Sequence, residues 1–144
     1  MEFVTNIVAA EDEESSFVGE SSCPLDEWSG IDAPGLDTPK LAVLHSVLTG
    51  DLLQSSLDLY EPVYVSENGT AVLRIADELF EKLIGLDEDV LETIAGELAA
   101  TEEFERAQWH EDDVLGLLMA VCELAQLAES QGQVLFVWIC LVDN

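Results

Sequence analysis

The sequence predicts an α+β fold: a mostly helical single domain over residues 1–144, with a small sheet that includes a C-terminal strand. Three observations lead to this prediction. Hydrophobic residues make up 49% of the chain, which is enough to form a core. Most of them recur at the spacing of three and four positions that is typical of helices. The spacing changes at Val63 and again at Val134, where β-branched and aromatic residues dominate.

The N-terminal part predicts a short strand followed by a loop. Residues 2–10 (EFVTNIVAA) are mostly apolar and include β-branched residues, which favours a strand. Residues 19–37 are rich in Gly, Pro, Ser and Asp, a composition that is typical of loops. Trp28 and Ile31 lie in this loop, and we expect them to anchor it to the core.

Two helices are predicted next. The segment TPKLAVLHSVLTG follows Asp37, and either Asp37 or Thr38 can cap it by accepting hydrogen bonds from free amides of the first turn. Gly50 is the expected stop, because glycine readily adopts the left-handed conformation that ends many helices. Residues 51–60 carry further leucines and predict a second, shorter helix.

A change of period then predicts a β-hairpin. The segments VYVS and TAVLRI flank Glu67, Asn68 and Gly69. An Asn-Gly pair tolerates the positive φ values of a tight hairpin turn. The alternative is a plain loop that leads into the next helix.

The next two predicted helices are amphipathic. Residues 75–84 place their apolar side chains on one stripe and are followed by Gly85. Asp87 is the expected cap of the following helix, which has one apolar face and one acidic face. Residues 101–109 then form a polar connector, in which Phe104 and Trp109 are the apolar anchors.

The C-terminal segment predicts the centre of the core. The longest helix is expected to open at Asp112 or Asp113 and to run to about Ser130, and it is apolar on most sides. Residues 134–142 (VLFVWICLV) are continuously apolar, which favours an inner strand that is covered on both faces.

The charge of the chain limits the kind of partner it can bind. Asp and Glu number 31 against 4 Lys and Arg, so the formal net charge is −27. Nucleic acids and anionic membranes are attracted by basic patches, and the sequence has none, so we predict no direct contact with either. A large negative field instead speeds the approach of basic partners. Acidity that serves only solubility or halophily is the alternative.

The cysteines and the N-terminus favour a cytoplasmic location. The three cysteines, Cys23, Cys122 and Cys140, form neither a disulfide framework nor a CxxC pair. The start of the chain has no basic segment of the kind that opens a signal peptide. The longest apolar stretch, residues 134–142, is too short to cross a bilayer.

Three segments of the chain form a recognisable order: LDTPKLAVLHSVLTG, VLRIADELFEKLIGLDED, and a long helix that runs into GQVLFVWICL. Together they resemble the YfbM-like family of bacterial proteins, whose function is unknown. The family pattern of a Leu-Asp entry, a helix with a central His, and Leu-Thr-Gly is matched by Leu36, Asp37, His45, Leu48, Thr49 and Gly50. The resemblance spans roughly residues 36–142. It implies a mixed α and β fold and supplies no reaction and no catalytic residues to carry over. Proteins of this type are sometimes met beside toxin genes as candidate immunity proteins.

The motifs of common enzymes and metal sites are missing from the sequence. His45 could act as a general base or a ligand, but the favoured interpretation is a half-buried histidine that bonds a backbone carbonyl. The run from His110 to Asp113 does not have zinc-ligand spacing and is interpreted as a helix cap. Carboxylate pairs carry little information among 31 acids. We therefore predict no catalytic residues, no metal and no cofactor.

The function expected from these observations is binding rather than catalysis. We expect an immunity or inhibitor protein that neutralises a basic toxin or enzyme, such as a nuclease, with carboxylates that can stand in for phosphates. A small enzyme, or a housekeeping domain that is acidic for solubility or halophily, is the alternative. The expected contact residues are the acids and aromatics of the stretch from Asp87 to Asp113, namely Glu88, Asp89, Glu92, Glu102, Glu103, Phe104, Glu105, Trp109, Glu111 and Asp112.

Overall fold

A five-stranded antiparallel sheet forms the frame of the structure. The computed structural model describes residues 2–67 and 69–142. Its strands are β1 (Glu2–Ala10), β2 (Gly30–Asp32), β3 (Tyr64–Val65), β4 (Ala71–Arg74) and β5 (Val134–Val142), in the spatial order β2-β1-β5-β4-β3. β5 lies in the middle of the sheet, paired with β1 along its full length and with β4 on its other side. The prediction of an inner C-terminal strand is therefore confirmed.

Seven α-helices accompany the sheet in the described ranges. They are α1 (Ser15–Glu20), α2 (Thr38–Thr49), α3 (Leu53–Leu59), α4 (Asp77–Ile84), α5 (Glu88–Ala99), α6 (Glu102–Arg106) and α7 (Glu111–Ser130). Two short 3₁₀ helices cover Asp12–Glu14 and Pro24–Asp26. The α+β class predicted from the sequence is confirmed.

Both faces of the sheet are buried, because the strand side chains alternate between two cores. Leu135 and Val137 point into the larger core, which the sheet shares with α2, α4, α5 and α7. Phe136 and Trp138 point into the smaller core on the opposite face, where Val18 of α1 covers them. The continuous apolar run of β5 follows from this two-sided burial.

The caps of α2 are those that the sequence predicts. The Asp37 side chain accepts a hydrogen bond of 3.1 Å from the Lys40 amide at the first turn. Gly50 ends the helix with φ of 83°, in the left-handed region. These two ends fix where His45 and the residues after the helix lie.

The predicted hairpin is confirmed by strand pairing. Tyr64 pairs with Val72 and Val65 with Ala71 in antiparallel register. Gly69 has φ of 88°, as a tight turn requires. Asn68, the other turn residue named by the sequence, lies outside the described residues.

Three local predictions are wrong in detail. Residues 19–37 are not only loop, because Gly30–Asp32 pair with β1 as an edge strand. The connector over residues 101–109 contains the short helix α6. α7 begins at Glu111 with His110 as its N-cap, rather than at Asp112 or Asp113. Each feature depends on tertiary neighbours or on a cap, neither of which composition reveals.

No helix in the described ranges is both long and apolar enough to span a membrane.

Candidate functional site

The predicted acidic contact residues lie on three consecutive helices, α5, α6 and the start of α7, and we call the surface that they form the acidic face. Seven of the eight acids are exposed and Glu103 is half-buried. The Glu111 side chain at the start of α7 lies close to Gly96 of α5. A Cβ added at Gly96 would lie only 3.2 Å from the Glu111 Oε1 atom, which is closer than an ordinary van der Waals contact. Arg106, the one cation in this stretch, forms an ion pair with Glu102.

Phe104 is not a surface contact, and that part of the prediction is wrong. Its side chain is 1% exposed and belongs to the larger core. The ring also contacts the Trp109 indole edge to face, with 5.3 Å between centroids and 79° between planes. Phe104 therefore belongs to the core beneath α6 and supports Trp109 from that side.

Trp109 is positioned by the way in which α6 ends. The Trp109 amide donates to the Phe104 carbonyl at 3.0 Å, and the Gln108 amide donates to the Glu105 carbonyl at 3.0 Å. These two bonds, with an apolar contact between the first and last residues, define a Schellman motif. Gln108 occupies its left-handed position with φ of 62°, where glycine is the usual residue. The turn that positions the Trp109 indole therefore requires a strained backbone at Gln108.

Gln108→Gly is expected to raise the free energy of unfolding by about 0.5–1 kcal/mol, because glycine adopts the left-handed conformation without a Cβ clash. The matched change Gln126→Gly, at an exposed position inside α7, is expected to lower it by about 1 kcal/mol. Urea unfolding measures both. A loss of stability at Gln108 would contradict the role given to its backbone.

A groove of about 650 Å³ opens beside Trp109. One wall is the turn after β2 and the other is the first half of α7. Asp32, Asp112 and Asp113 supply carboxylates, while Trp109, Leu117 and the alanines supply apolar surface. The full lining is Asp32, Ala33, Pro34, Ala107, Gln108, Trp109, Asp112, Asp113, Gly116, Leu117 and Ala120.

The Trp109 ring is held between two contacts. Phe104 meets it on one side, as described above. On another side it lies against Gly35, where an added Cβ would be 3.4 Å from the indole Cζ2 atom. Gly35 also has φ of 83°, so a larger residue would be strained there. The indole is half-buried and borders the groove, so it serves both the core and the surface.

The groove is electrostatically negative. None of its described lining residues is basic, although two of its carboxylates have local partners. Asp32 accepts from the Asn6 side-chain amide at 3.2 Å, and Asp113 accepts from the His110 amide at 3.1 Å. The second bond is half of a capping box with His110, as the sequence predicts for this run. Asp112 has no hydrogen bond or ion pair to a described side chain, and its carboxylate remains available.

His45 lies in a second cluster, away from the acidic face. The prediction of a half-buried histidine bonded to a backbone carbonyl is wrong, because the side chain is fully buried and both ring nitrogens contact side chains. Nε2 lies 3.0 Å from the Asp51 carboxylate and Nδ1 lies 3.0 Å from the Tyr60 hydroxyl. A carboxylate only accepts, so the contact with Asp51 places a proton on Nε2. If the ring carries this one proton only, the Tyr60 hydroxyl is the donor to Nδ1.

The Tyr60 hydroxyl is fully engaged. It also accepts from the Ala76 amide at 3.4 Å. Burial raises the pKa of Tyr60 to about 12, the Ala76 amide opposes the rise, and the negative charge of Glu78 adds to it. The hydroxyl therefore stays protonated at neutral pH and acts as a hydrogen-bonding group.

Glu78 completes a set of three potential metal ligands. One ligand atom each of His45, Asp51 and Glu78 lies within 4.8 Å of the other two. The sequence suggests His45 as a possible ligand but does not point to Asp51 or Glu78. No motif connects them, because Glu78 belongs to α4, which packs against α2 only in the folded chain.

No protein-family profile and no curated protein matches the sequence. Among solved structures, the chain is similar to the crystal structure of YfbM from Escherichia coli, a protein of unknown function. The two share 15% sequence identity, with a TM-score of 0.45, over 94% of this chain and 99% of that chain. This similarity assigns no function.

Proposed function

We propose that this protein binds and neutralises a basic protein, as an immunity or inhibitor protein does. The observation that carries the proposal is the half-buried Trp109 indole in a groove that also presents Asp32, Asp112 and Asp113. In this proposal the chain has no catalytic role, and it acts in the cytoplasm.

The groove has the chemistry to receive an arginine or lysine side chain of the partner. A guanidinium stacks on an indole face and forms paired hydrogen bonds with carboxylates, so one arginine can use both kinds of surface. A cation over an aromatic ring contributes roughly 0.5–2 kcal/mol, depending on how far it is desolvated. The apolar lining from Ala33 and Leu117 suits the aliphatic stem of the same side chain.

The surrounding acids supply the long-range part of recognition. The net charge of −27 attracts a basic partner before contact, and the effect on association can reach 10- to 1000-fold at low salt, as a rough range. We call the acids of α5 and α6, which lie outside the groove lining, the rim. Charges at the rim of an interface mainly change the rate of association, whereas groups buried on binding mainly change the rate of dissociation. The face on α5 and α6 and the groove therefore have separable roles.

A nuclease or another enzyme with a basic cleft is the partner class that this arrangement fits best. Such a cleft binds phosphates through Arg and Lys, and carboxylates on the inhibitor can occupy the same positions. The test is to titrate the purified protein into a panel of basic nucleases and toxins, each assayed for its own activity. We expect stoichiometric inhibition of at least one of them at physiological ionic strength.

Two double variants, each changing two Asp residues to Asn, separate the contribution of the groove to binding from the contribution of net charge. Asp32→Asn with Asp112→Asn is expected to weaken binding about tenfold or more, mainly through faster dissociation, as loss of a desolvated charge partner does. The control pairs Asp26→Asn with Asp58→Asn, two exposed residues that do not line the groove. It is expected to change affinity less than about twofold, since exposed pairs contribute little.

Reversal of Glu102, Glu103 and Glu105 to Lys tests the rim. We expect slower association and a weaker salt dependence, with dissociation almost unchanged. Failure of the whole panel to bind would contradict the proposal. If the two double variants weakened binding equally, the binding would depend on net charge alone and the groove would not be the binding site.

A further inference from the structure

A second feature, independent of the acidic groove, brings together donors of two chemical kinds. His45 comes from α2, Asp51 follows the end of that helix, and Glu78 lies in the first turn of α4. Their ligand atoms lie within 4.8 Å of one another. We propose that His45, Asp51 and Glu78 bind a divalent first-row transition-metal ion such as Zn²⁺.

The donor set suits this class of ion. Imidazole nitrogen favours zinc and its neighbours, whereas sites for Mg²⁺ and Ca²⁺ are built from oxygen alone. With bonds of about 2.0–2.1 Å, two ligands of a tetrahedral site lie roughly 3.3 Å apart. His45 Nε2 and the Asp51 carboxylate are already 3.0 Å apart. Glu78 is exposed, so rotation of its side chain can bring its carboxylate to the same distance.

The position of Asp51 is fixed by its backbone. The Asp51 carbonyl accepts from the Ser46 hydroxyl at 2.6 Å, and the Asp51 amide donates to the Thr49 hydroxyl at 3.2 Å. Gly50, with its left-handed backbone, turns the chain so that the Asp51 carboxylate lies beside the His45 ring. His45 and Asp51 are therefore held in place before any ion binds, which lowers the entropy cost of binding.

Tyr60 provides the outer contact that metal-bound histidines usually have. Coordination through Nε2 requires the tautomer with its proton on Nδ1, which then donates to the Tyr60 hydroxyl oxygen. That oxygen has two lone pairs, one for Nδ1 and one for the Ala76 amide. The hydroxyl can therefore change from donor to acceptor toward His45 without leaving the ring nitrogen unpaired.

The charge of the cluster also favours a cation. Asp51 and Glu78 bring two carboxylates close together. Among the described ion pairs, none joins a lysine or arginine to either of them. A divalent ion would compensate both charges, and three protein ligands would leave a coordination position for water.

Binding of Zn²⁺ alone to the chelator-treated protein tests the proposal. Calorimetry with excess Mg²⁺ present suppresses unspecific binding by the other surface acids. We expect one Zn²⁺ per chain, and Co²⁺ in its place should give absorption bands that report nitrogen and oxygen ligands. Glu78→Gln and Asp51→Asn are each expected to weaken Zn²⁺ binding by more than about tenfold, because each removes a proposed ligand and even the loss of an outer partner of a ligand costs roughly 10–100-fold.

Glu81→Gln is the matched control, because it removes an equal charge from an exposed position one turn further along α4. It should change Zn²⁺ affinity less than about twofold, as expected for an exposed group that is not a ligand. Thermal unfolding of each variant without metal checks that the fold is kept. Lack of stoichiometric Zn²⁺ binding, or equal weakening by Glu81→Gln, would overturn the proposal and leave His45 as a buried structural histidine.

Discussion

Phe104→Ala is expected to lower the free energy of unfolding by about 3–5 kcal/mol, the usual range for a large aromatic removed from a packed core. Phe104 is 1% exposed and belongs to the larger core. The change leaves a cavity and also removes the edge-to-face contact with Trp109. Urea unfolding followed by circular dichroism at neutral pH measures the loss.

The matched control is Phe17→Ala, which removes the same ring from a side chain that is 64% exposed. Its effect should stay within about 0.5 kcal/mol, because exposed positions seldom contribute more. Similar losses for the two variants would contradict the packing described for Phe104. Since Phe104 supports Trp109, we also expect Phe104→Ala to weaken binding at the groove even where the protein still folds.

Elements with a strong internal pattern could be predicted from the sequence. β5 is long, β-branched and apolar on both sides, so its place in the middle of the sheet followed from its residues alone. α2 carries both of its end signals, Asp37 and Gly50, within the sequence that forms it. In these segments local preference and tertiary structure agree.

Elements that depend on a distant partner could not be predicted. β2 is only three residues long, and it is a strand because Ile31 pairs with Ile7 of β1. The left-handed Gln108 gives no signal, since glycine or asparagine is the residue that marks such a position. Composition indicates a loop at the first site and a polar connector at the second. Pairing with β1 makes the first a strand, and the local Schellman motif that ends α6 sets the backbone of the second.

The candidate sites show the same limit. The sequence predicts an acidic surface, but 31 acids give no means of choosing among them. Asp32 and Asp112 line the same groove although they are distant in the chain, and the cluster of His45 includes Glu78 from another helix. Short motifs reveal a site when its residues are close together in the chain, and each of these two sites includes a residue from a distant segment.

Raising the pH is expected to destabilise the protein through Tyr60. Its pKa is 10.0 in an ordinary setting and about 12 in the fold. Below 10 the hydroxyl is protonated in both the folded and the unfolded chain, and the pH has no effect through this group. Between the two values the unfolded chain loses the proton more readily, so stability falls as pH rises. A difference of two pKa units corresponds to roughly 2–3 kcal/mol.

Tyr60→Phe isolates this contribution. At neutral pH the variant should be less stable than the unaltered protein by about 1–3 kcal/mol, because the Nδ1 atom of His45 loses its partner. It lacks the titrating hydroxyl, so its stability should decline less as the pH rises through the window from 10 to 12. Cys122, whose pKa burial raises to about 11, titrates in both proteins and cancels in the difference. The two stabilities, measured by urea unfolding with a chelator present, should therefore converge at high pH. Parallel curves would mean that Tyr60 is hydrated in solution and that the buried network around His45 is open to water.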